Sequence, residues 1–214
     1  MCGRFVRQAA IKVLAEAFDA VIGAQEMEMT PSFNVAPSQP VACVVPGESG
    51  AGGREVSSLT WGLVPQWARS RPDPPSFINA RSETAAEKPS FRDAYRTGRC
   101  LVLADGFYEW TGEAGARRPM LVRLPGAQPF AFAGLASGGT CTILTCAPND
   151  AMHPIHDRMP VILEPVDLDA WLDPGNADPS TVLRPWPRKL DICEVSTRVN
   201  NPAYDAADCL DPVG

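Results

Sequence analysis

Cys100-Leu101-Val102-Leu103-Ala104-Asp105-Gly106-Phe107-Tyr108-Glu109-Trp110 is the stretch on which the fold turns. Cys100 to Ala104 is apolar without a break and reads as a strand, Asp105-Gly106 is a turn pair, and a second strand follows at once. In that second strand a period of two puts Phe107 and Glu109 on one face and Tyr108 and Trp110 on the other, lodging a carboxylate beside an aromatic ring. Working outward, strands are expected at Val41 to Val45, Val56 to Trp61, Met120 to Leu124, Phe130 to Leu135 and Thr140 to Cys146, with a last one around Glu194 to Thr197. Ile11, Leu14, Phe18 and Val21 recur at helical spacing and predict an amphipathic helix from about Gln8 to Ile22. Ser90 reads as the N-cap of a short helix through Tyr95, and a further helix is expected near Asp167 to Leu172. Many short strands with few helices predict a single α+β domain over residues 1–214, with a barrel-like, mainly antiparallel β core flanked by a few helices.

Composition narrows the function classes. The 214 residues carry a net charge of -6, which argues against generic phosphate binding by a basic body but leaves room for a local arginine-lined groove. The acidic surplus is heaviest at Glu164 to Asp178 and Asp205 to Asp211. Seven cysteines, odd in number and scattered, with no Cys-x-x-Cys pair and no signal-like leader, predict a reducing, cytoplasmic setting. No apolar run approaches the roughly 20 residues a membrane-spanning helix needs. Pro46 to Gly53 reads as a flexible loop. Pro65, Pro72, Pro74 and Pro75 bracket a long irregular segment holding Trp67 and Arg69, and long loops inside compact domains tend to be functional.

Chemistry concentrates in few places. Loss of Met1 would leave Cys2 as the amino terminus, an amine and a thiol on adjacent carbons, which capture an aldehyde first as an imine and then as a five-membered thiazolidine. The plainer alternative is a frayed, incidental cysteine. The two histidines, His153 and His156, share one stretch, Met152 to Arg158. Pro154 disrupts the helical face on which the pair would converge and Cys146 is the only nearby thiol, so no metal site is expected. His153 reads as a polar group near a turn; His156, followed by Asp157 and Arg158, is the candidate for proton transfer. Glu109 is either desolvated, with its pKa raised into the range of a general acid or base, or points to water from an edge strand. Asn79 either fixes a mobile terminus or caps a turn.

Phe33-Asn34-Val35-Ala36-Pro37-Ser38 and Trp61 to Ala68 join these residues to five ordered motifs: Met1-Cys2-Gly3-Arg4-Phe5, Ile78-Asn79-Ala80-Arg81-Ser82-Glu83-Thr84, Ala104 to Trp110, Ile155-His156-Asp157-Arg158-Met159-Pro160 and Val195-Ser196. In that order they resemble the SOS-response-associated peptidase (SRAP) family, which shields abasic sites in single-stranded DNA. The likeness runs to about Leu172 and is weak over Gly47 to Gly53 and Pro174 to Lys189. It implies that Cys2 crosslinks to the ring-opened abasic sugar once Met1 is gone, with Asn79, Glu109 and His156 completing the catalytic set. Glu109 would activate the amine, His156 would assist ring opening and imine protonation, and Asn79 would hold the Cys2 segment. It implies a DNA groove in which Arg4, Arg81 and Arg158 meet phosphates, Asn34 and Thr145 add polar contacts, and Pro37 and Trp67 offer apolar surfaces to flanking bases.

The resemblance thus implies a DNA-protein crosslinking enzyme of the DNA damage response, of peptidase (hydrolase) or lyase class. It would need no cofactor, act as a monomer on single-stranded DNA, and be nucleoid-associated when bound to damage. Two other readings stay open: a cysteine peptidase with Cys2 as nucleophile, and a non-covalent single-stranded DNA binder in which the cysteine is incidental.

Overall fold

A computed structural model describes residues 2–23, 28–47, 53–113, 115–176 and 178–213. The α+β architecture expected from the sequence is present, built on two sheets. The larger contains β4 (Pro40–Pro46), β5 (Arg54–Trp61), β7 (Arg99–Ala104), β10 (Phe130–Ser137) and β11 (Thr140–Cys146). These pair in the order β11-β10-β7-β4-β5, and β5 returns to β11 through a short parallel pairing of Thr60 with Thr140 and Trp61 with Cys141. The sheet is therefore ring-like. Three short strands attach to it: β2 (Ala20–Ile22) on β5, β12 (Met159–Pro160) on β11, and β6 (Asn79–Arg81) parallel to β11.

The smaller sheet is antiparallel, in the order β13 (Asp191–Glu194), β9 (Arg118–Arg123), β8 (Gly106–Thr111), β1 (Arg4–Arg7), β3 (Ser32–Val35). The Asp105-Gly106 turn thus does not close a hairpin: β7 belongs to the ring and β8 to the second sheet. The N–H of Asp105 donates to the Val6 carbonyl at 2.8 Å, fixing the passage from one sheet to the other.

Alternation along β1 and β8 divides the core. Phe5, Phe107 and Val122 face the ring and join the main apolar cluster. There Phe5 meets Trp61 with ring centroids 5.1 Å apart, and Phe5 and Phe107 each lie 6.0 Å from Phe132, tilted or edge-on as aromatic quadrupoles prefer. Val6, Tyr108 and Leu121 point the other way and pack with Val195 and Val199 from the C-terminal segment. The carboxylate of Glu109 sits on the Phe107 face, the one turned toward the ring.

Three expected elements take different bounds. The first helix, α1, covers only Ile11–Ala17; Asp19 adopts φ 49° and the chain continues as β2, leaving Val21 73% exposed. Ile11, Leu14 and Phe18 bury as expected, so the helical spacing holds for three of the four positions and Val21 matched it by coincidence. After the short α2 (Ser82–Ala85), the next helix, α3, spans Arg92–Thr97 and begins at Phe91 without a side-chain cap, so Ser90 is not its N-cap. The last strand is Asp191–Glu194, not Glu194 to Thr197: Ser196 accepts from the Arg198 N–H and turns the chain into a 3-10 segment, Thr197–Asn200. The helix near residue 167, α4, forms over Leu168–Leu172. Of the expected loop at Pro46 to Gly53, residues 48–52 lie outside the described residues.

Candidate active site

β1 delivers Cys2 to the site. Arg4 pairs with Tyr108 and Phe5 with Phe107, and this register continued by one residue sets Gly3 opposite Glu109. Cys2 itself is fully buried, and the Asn79 side-chain amide donates to its carbonyl at 2.8 Å. Asn79 reaches this position because β6 runs parallel to β11, with Asn79 level with Ile143, while Trp61 Nε1 ties the preceding Ile78 carbonyl at 2.9 Å. Asn79 Oδ1 is buried with no hydrogen-bond partner among the described residues. The amide is thus anchored to the Cys2 backbone through one end only.

Glu109 is 2% exposed. Burial pushes its carboxyl up to about 7, opposed by the positive charge of the chain's amino terminus. The same burial raises the Cys2 thiol, and the charge of Glu109 raises it further. A thiol so placed is neutral near pH 7, the reverse of the electropositive surroundings that generate a reactive thiolate. His156 lies in the coil before β12, and burial lowers its pKa. Its Nδ1 lies 3.0 Å from the Arg158 N–H and 2.7 Å from Asp157 Oδ1. The two contacts suit opposite states: the neutral ring accepts from Arg158, and the protonated ring donates to Asp157. Either form has a partner, as a group that shuttles protons requires.

Glu109 and His156 line one cleft of about 360 Å³ with Trp110, Gly112, Arg117, Ile155 and Asp157, a volume at the small end of ligand sites, about 300–1,000 Å³. A second cleft of similar size, about 380 Å³, is lined by residues such as Phe18, Leu124, Phe130, Leu163 and Trp186, with Arg188 and Lys189. It contains no carboxylate, imidazole or thiol.

The structure therefore brings Cys2, Asn79, Glu109 and His156 to one locality and separates the expected DNA-facing residues into two groups. Trp67, 49% exposed with Arg71 over its ring at 5.1 Å, and Arg81 lie on the surface; Pro37 is half-buried. Asn34 and Thr145 are buried. The Asn34 amide donates to the carbonyls of Val199, Asn201 and Tyr204 and accepts from Arg4, and Thr145 donates to the Ala80 carbonyl. Arg4 also donates to the Val199 carbonyl at 2.8 Å. Arg158 grips Glu83 through two bonds of 2.6 and 2.8 Å and donates to the Thr145 carbonyl. His153 is exposed in a turn. Among the described residues no group of three or more His, Cys, Asp or Glu side chains is placed to hold a metal ion, and no helix is long and apolar enough to cross a membrane. Arg117 was not legible as a site residue: it precedes β9 in an exposed Gly- and Ala-containing loop, and only the hairpin register carries it to the cleft.

Known proteins share this chain's sequence family and its fold. Residues 1–202 match the family described as SOS response associated peptidase (SRAP). The chain is 38% identical over 225 residues to the abasic site processing protein YoqW of Bacillus subtilis, covering 99% of each. It is 39% identical to abasic site processing protein YobE of the same organism, covering 94% of this chain and 97% of the relative. A crystal structure of a protein from Bacteroides thetaiotaomicron superposes with a TM-score of 0.84 over 100% of both chains at 23% identity, which establishes a shared fold.

Proposed function

Because the chain belongs to the SOS response associated peptidase family, we propose that it processes abasic sites in DNA, the role for which its relatives are named. In this reading Met1 is removed and the Cys2 amine and thiol join covalently to the lesion in single-stranded DNA. The observation that carries it is the placement of Cys2, its carbonyl held by Asn79, in the charge field of a buried carboxyl with a pKa of about 7.

The chemistry runs in two bond-forming steps. The abasic sugar rests mostly as a closed hemiacetal, and proton transfer between its hydroxyl and ring oxygen frees the aldehyde, work suited to His156 from the cleft that it shares with Glu109. The amine adds to the carbonyl carbon, passing a proton to Glu109, and loss of one water gives the imine. The thiol then adds to the same carbon and the imine nitrogen takes up a proton, closing the thiazolidine. A neutral thiol suits this order, in which the amine attacks first, and the raised thiol weighs against a peptidase that needs a thiolate from the outset. Asn79 keeps the terminal segment in register. Arg4, Arg81 and Arg158 face the DNA backbone and Trp67 and Pro37 its bases, while buried Asn34 and Thr145 hold Arg4 and Arg158 in place.

Intact mass measurement after incubation with a single-stranded oligonucleotide bearing one abasic site tests this reading. The expected product has lost Met1, survives denaturation, and weighs the sum of both partners less one water. Cys2→Ala is expected to give none; equal trapping by Cys2→Ala overturns the proposal.

A further inference from the structure

We propose that Arg117 binds a phosphate of the abasic nucleotide itself while the sugar of that nucleotide occupies the cleft of Glu109 and His156. The inference rests on the function proposed above and adds a substrate contact to the same site.

An abasic nucleotide has no base to stack or pair, so its handles are the sugar oxygens and the phosphates on either side. Glu109 and His156 answer to the sugar. The remaining charged groups of the cleft are Asp157 and Arg117. With two carboxylates in the cleft and a net charge of -6 on the chain, a phosphate meets repulsion there unless a cation stands close. Arg117 supplies it.

Its donors are also uncommitted. The next residue, Arg118, opposes Thr111 across the hairpin and pairs with Glu194 at 2.7 Å. Arg4 donates to Asn34 and to the Val199 carbonyl, and Arg158 is held by Glu83. Arg117 is exposed and, among the described residues, makes no hydrogen bond or ion pair. A guanidinium fork with free N–H groups matches two phosphate oxygens at once. The hairpin carrying it begins in β8, the strand that presents Glu109, so the phosphate ligand and the buried carboxyl are positioned by one element.

The test compares the parent with Arg117→Gln and Arg117→Lys on a single-stranded oligonucleotide with one abasic site, reading both equilibrium retention and crosslinking rate across a salt series. Arg117→Gln is expected to weaken retention and slow capture about 5- to 20-fold at low salt. Its plot of log affinity against log salt should be shallower by about 0.7, the increment for one phosphate contact on a single strand. Arg117→Lys should recover most of that slope, which a merely structural defect would not do. Replacing each phosphate of the abasic nucleotide in turn by a neutral methylphosphonate should weaken the parent by the same factor at one position, where Arg117→Gln then loses nothing more. Equal salt slopes for parent and Arg117→Gln, or losses that multiply at both phosphates, overturn the contact. Unequal slopes without any covalent product from the parent support the contact and overturn the crosslinking reading instead.

Discussion

Two clefts of nearly equal size, about 360 and 380 Å³, differ in what their walls can do. The larger is lined by Phe18, Leu124, Phe130, Leu163 and Trp186, and beside Arg188 and Lys189 its lining holds no carboxylate, imidazole or thiol. The smaller holds a buried carboxyl raised to about 7 and an imidazole with a partner for either protonation state. Volume does not distinguish them; desolvated acid and base groups do. The cause lies in β8, where a period-two alternation that buries Phe107 buries Glu109 with it, at an energetic cost that a core optimised for stability alone would avoid.

The largest expected break in that contrast is Glu109→Gln. It keeps the shape and removes the base, and crosslinking should slow by about 100-fold or more. The parent rate should rise with pH through about 7, since the working form is the carboxylate and its fraction grows as pH passes its pKa. Burial lowers the His156 pKa, away from the rise assigned to Glu109. Rate against pH for parent and variant checks both statements, and a variant that keeps the rise would assign it to another group.

The same substitution should stabilise the protein. The folded-state pKa of Glu109 lies above its ordinary 4.5, so the folded chain binds the proton more tightly. The associated stability is full below about 4.5 and is lost as pH rises through about 7, a difference on the order of 3 kcal/mol. Glu109→Gln should therefore melt higher than the parent at pH 8, by on the order of 10 °C for a chain of this length. The gap should shrink toward pH 5. Thermal melts across that range would contradict the buried-carboxyl account if the gap did not depend on pH.

How much of this was legible beforehand follows the range of the interactions. Cys100 to Ala104, Phe130 to Leu135 and Thr140 to Cys146 were readable as strands because continuous burial leaves a local apolar signature. The alternation in Phe107 to Trp110 gave the face of Glu109, but whether that face met water depended on Phe5, Trp61 and Phe132, which come from three other strands. Val21 fitted the helical period yet belongs to a strand, because Asp19 takes a left-handed turn that periodicity does not encode. Asn34 and Thr145 were expected to contact DNA, and their burial arises from partners 165 and 65 residues distant, Val199 and Ala80. Arg117 left no signal because hairpin register, not residue pattern, brings it to the cleft.

A smaller effect is expected at the edge of the site. Asn79→Ala removes the 2.8 Å bond to the Cys2 carbonyl but also the unpartnered Oδ1, so the net loss is that of one hydrogen bond, about 1 kcal/mol. Covalent capture should slow about 5- to 10-fold with the same pH dependence, because the base is untouched. Asn79→Asp offers no donor and should not restore the rate, whereas a mere space-filling role would be rescued by it.

The smallest effect should come from the other cleft. Arg188 pairs with Glu164 at 2.5 Å and Lys189 with Asp191 at 3.3 Å, and their side chains are 63% and 81% exposed. Exposed pairs of this kind contribute about 0–1 kcal/mol, so Arg188→Ala and Lys189→Ala should melt within a few degrees of the parent. If the DNA is read at the cleft of Glu109, His156 and Arg117 and by Arg4, Arg81 and Arg158, and not at the apolar cleft, both variants should crosslink abasic DNA within about twofold of the parent and keep its salt slope. A shallower slope in either variant would place a phosphate contact at the apolar cleft as well. The DNA path would then have to pass both walls of the molecule, and the contrast between the clefts would become one between two ends of a single binding surface.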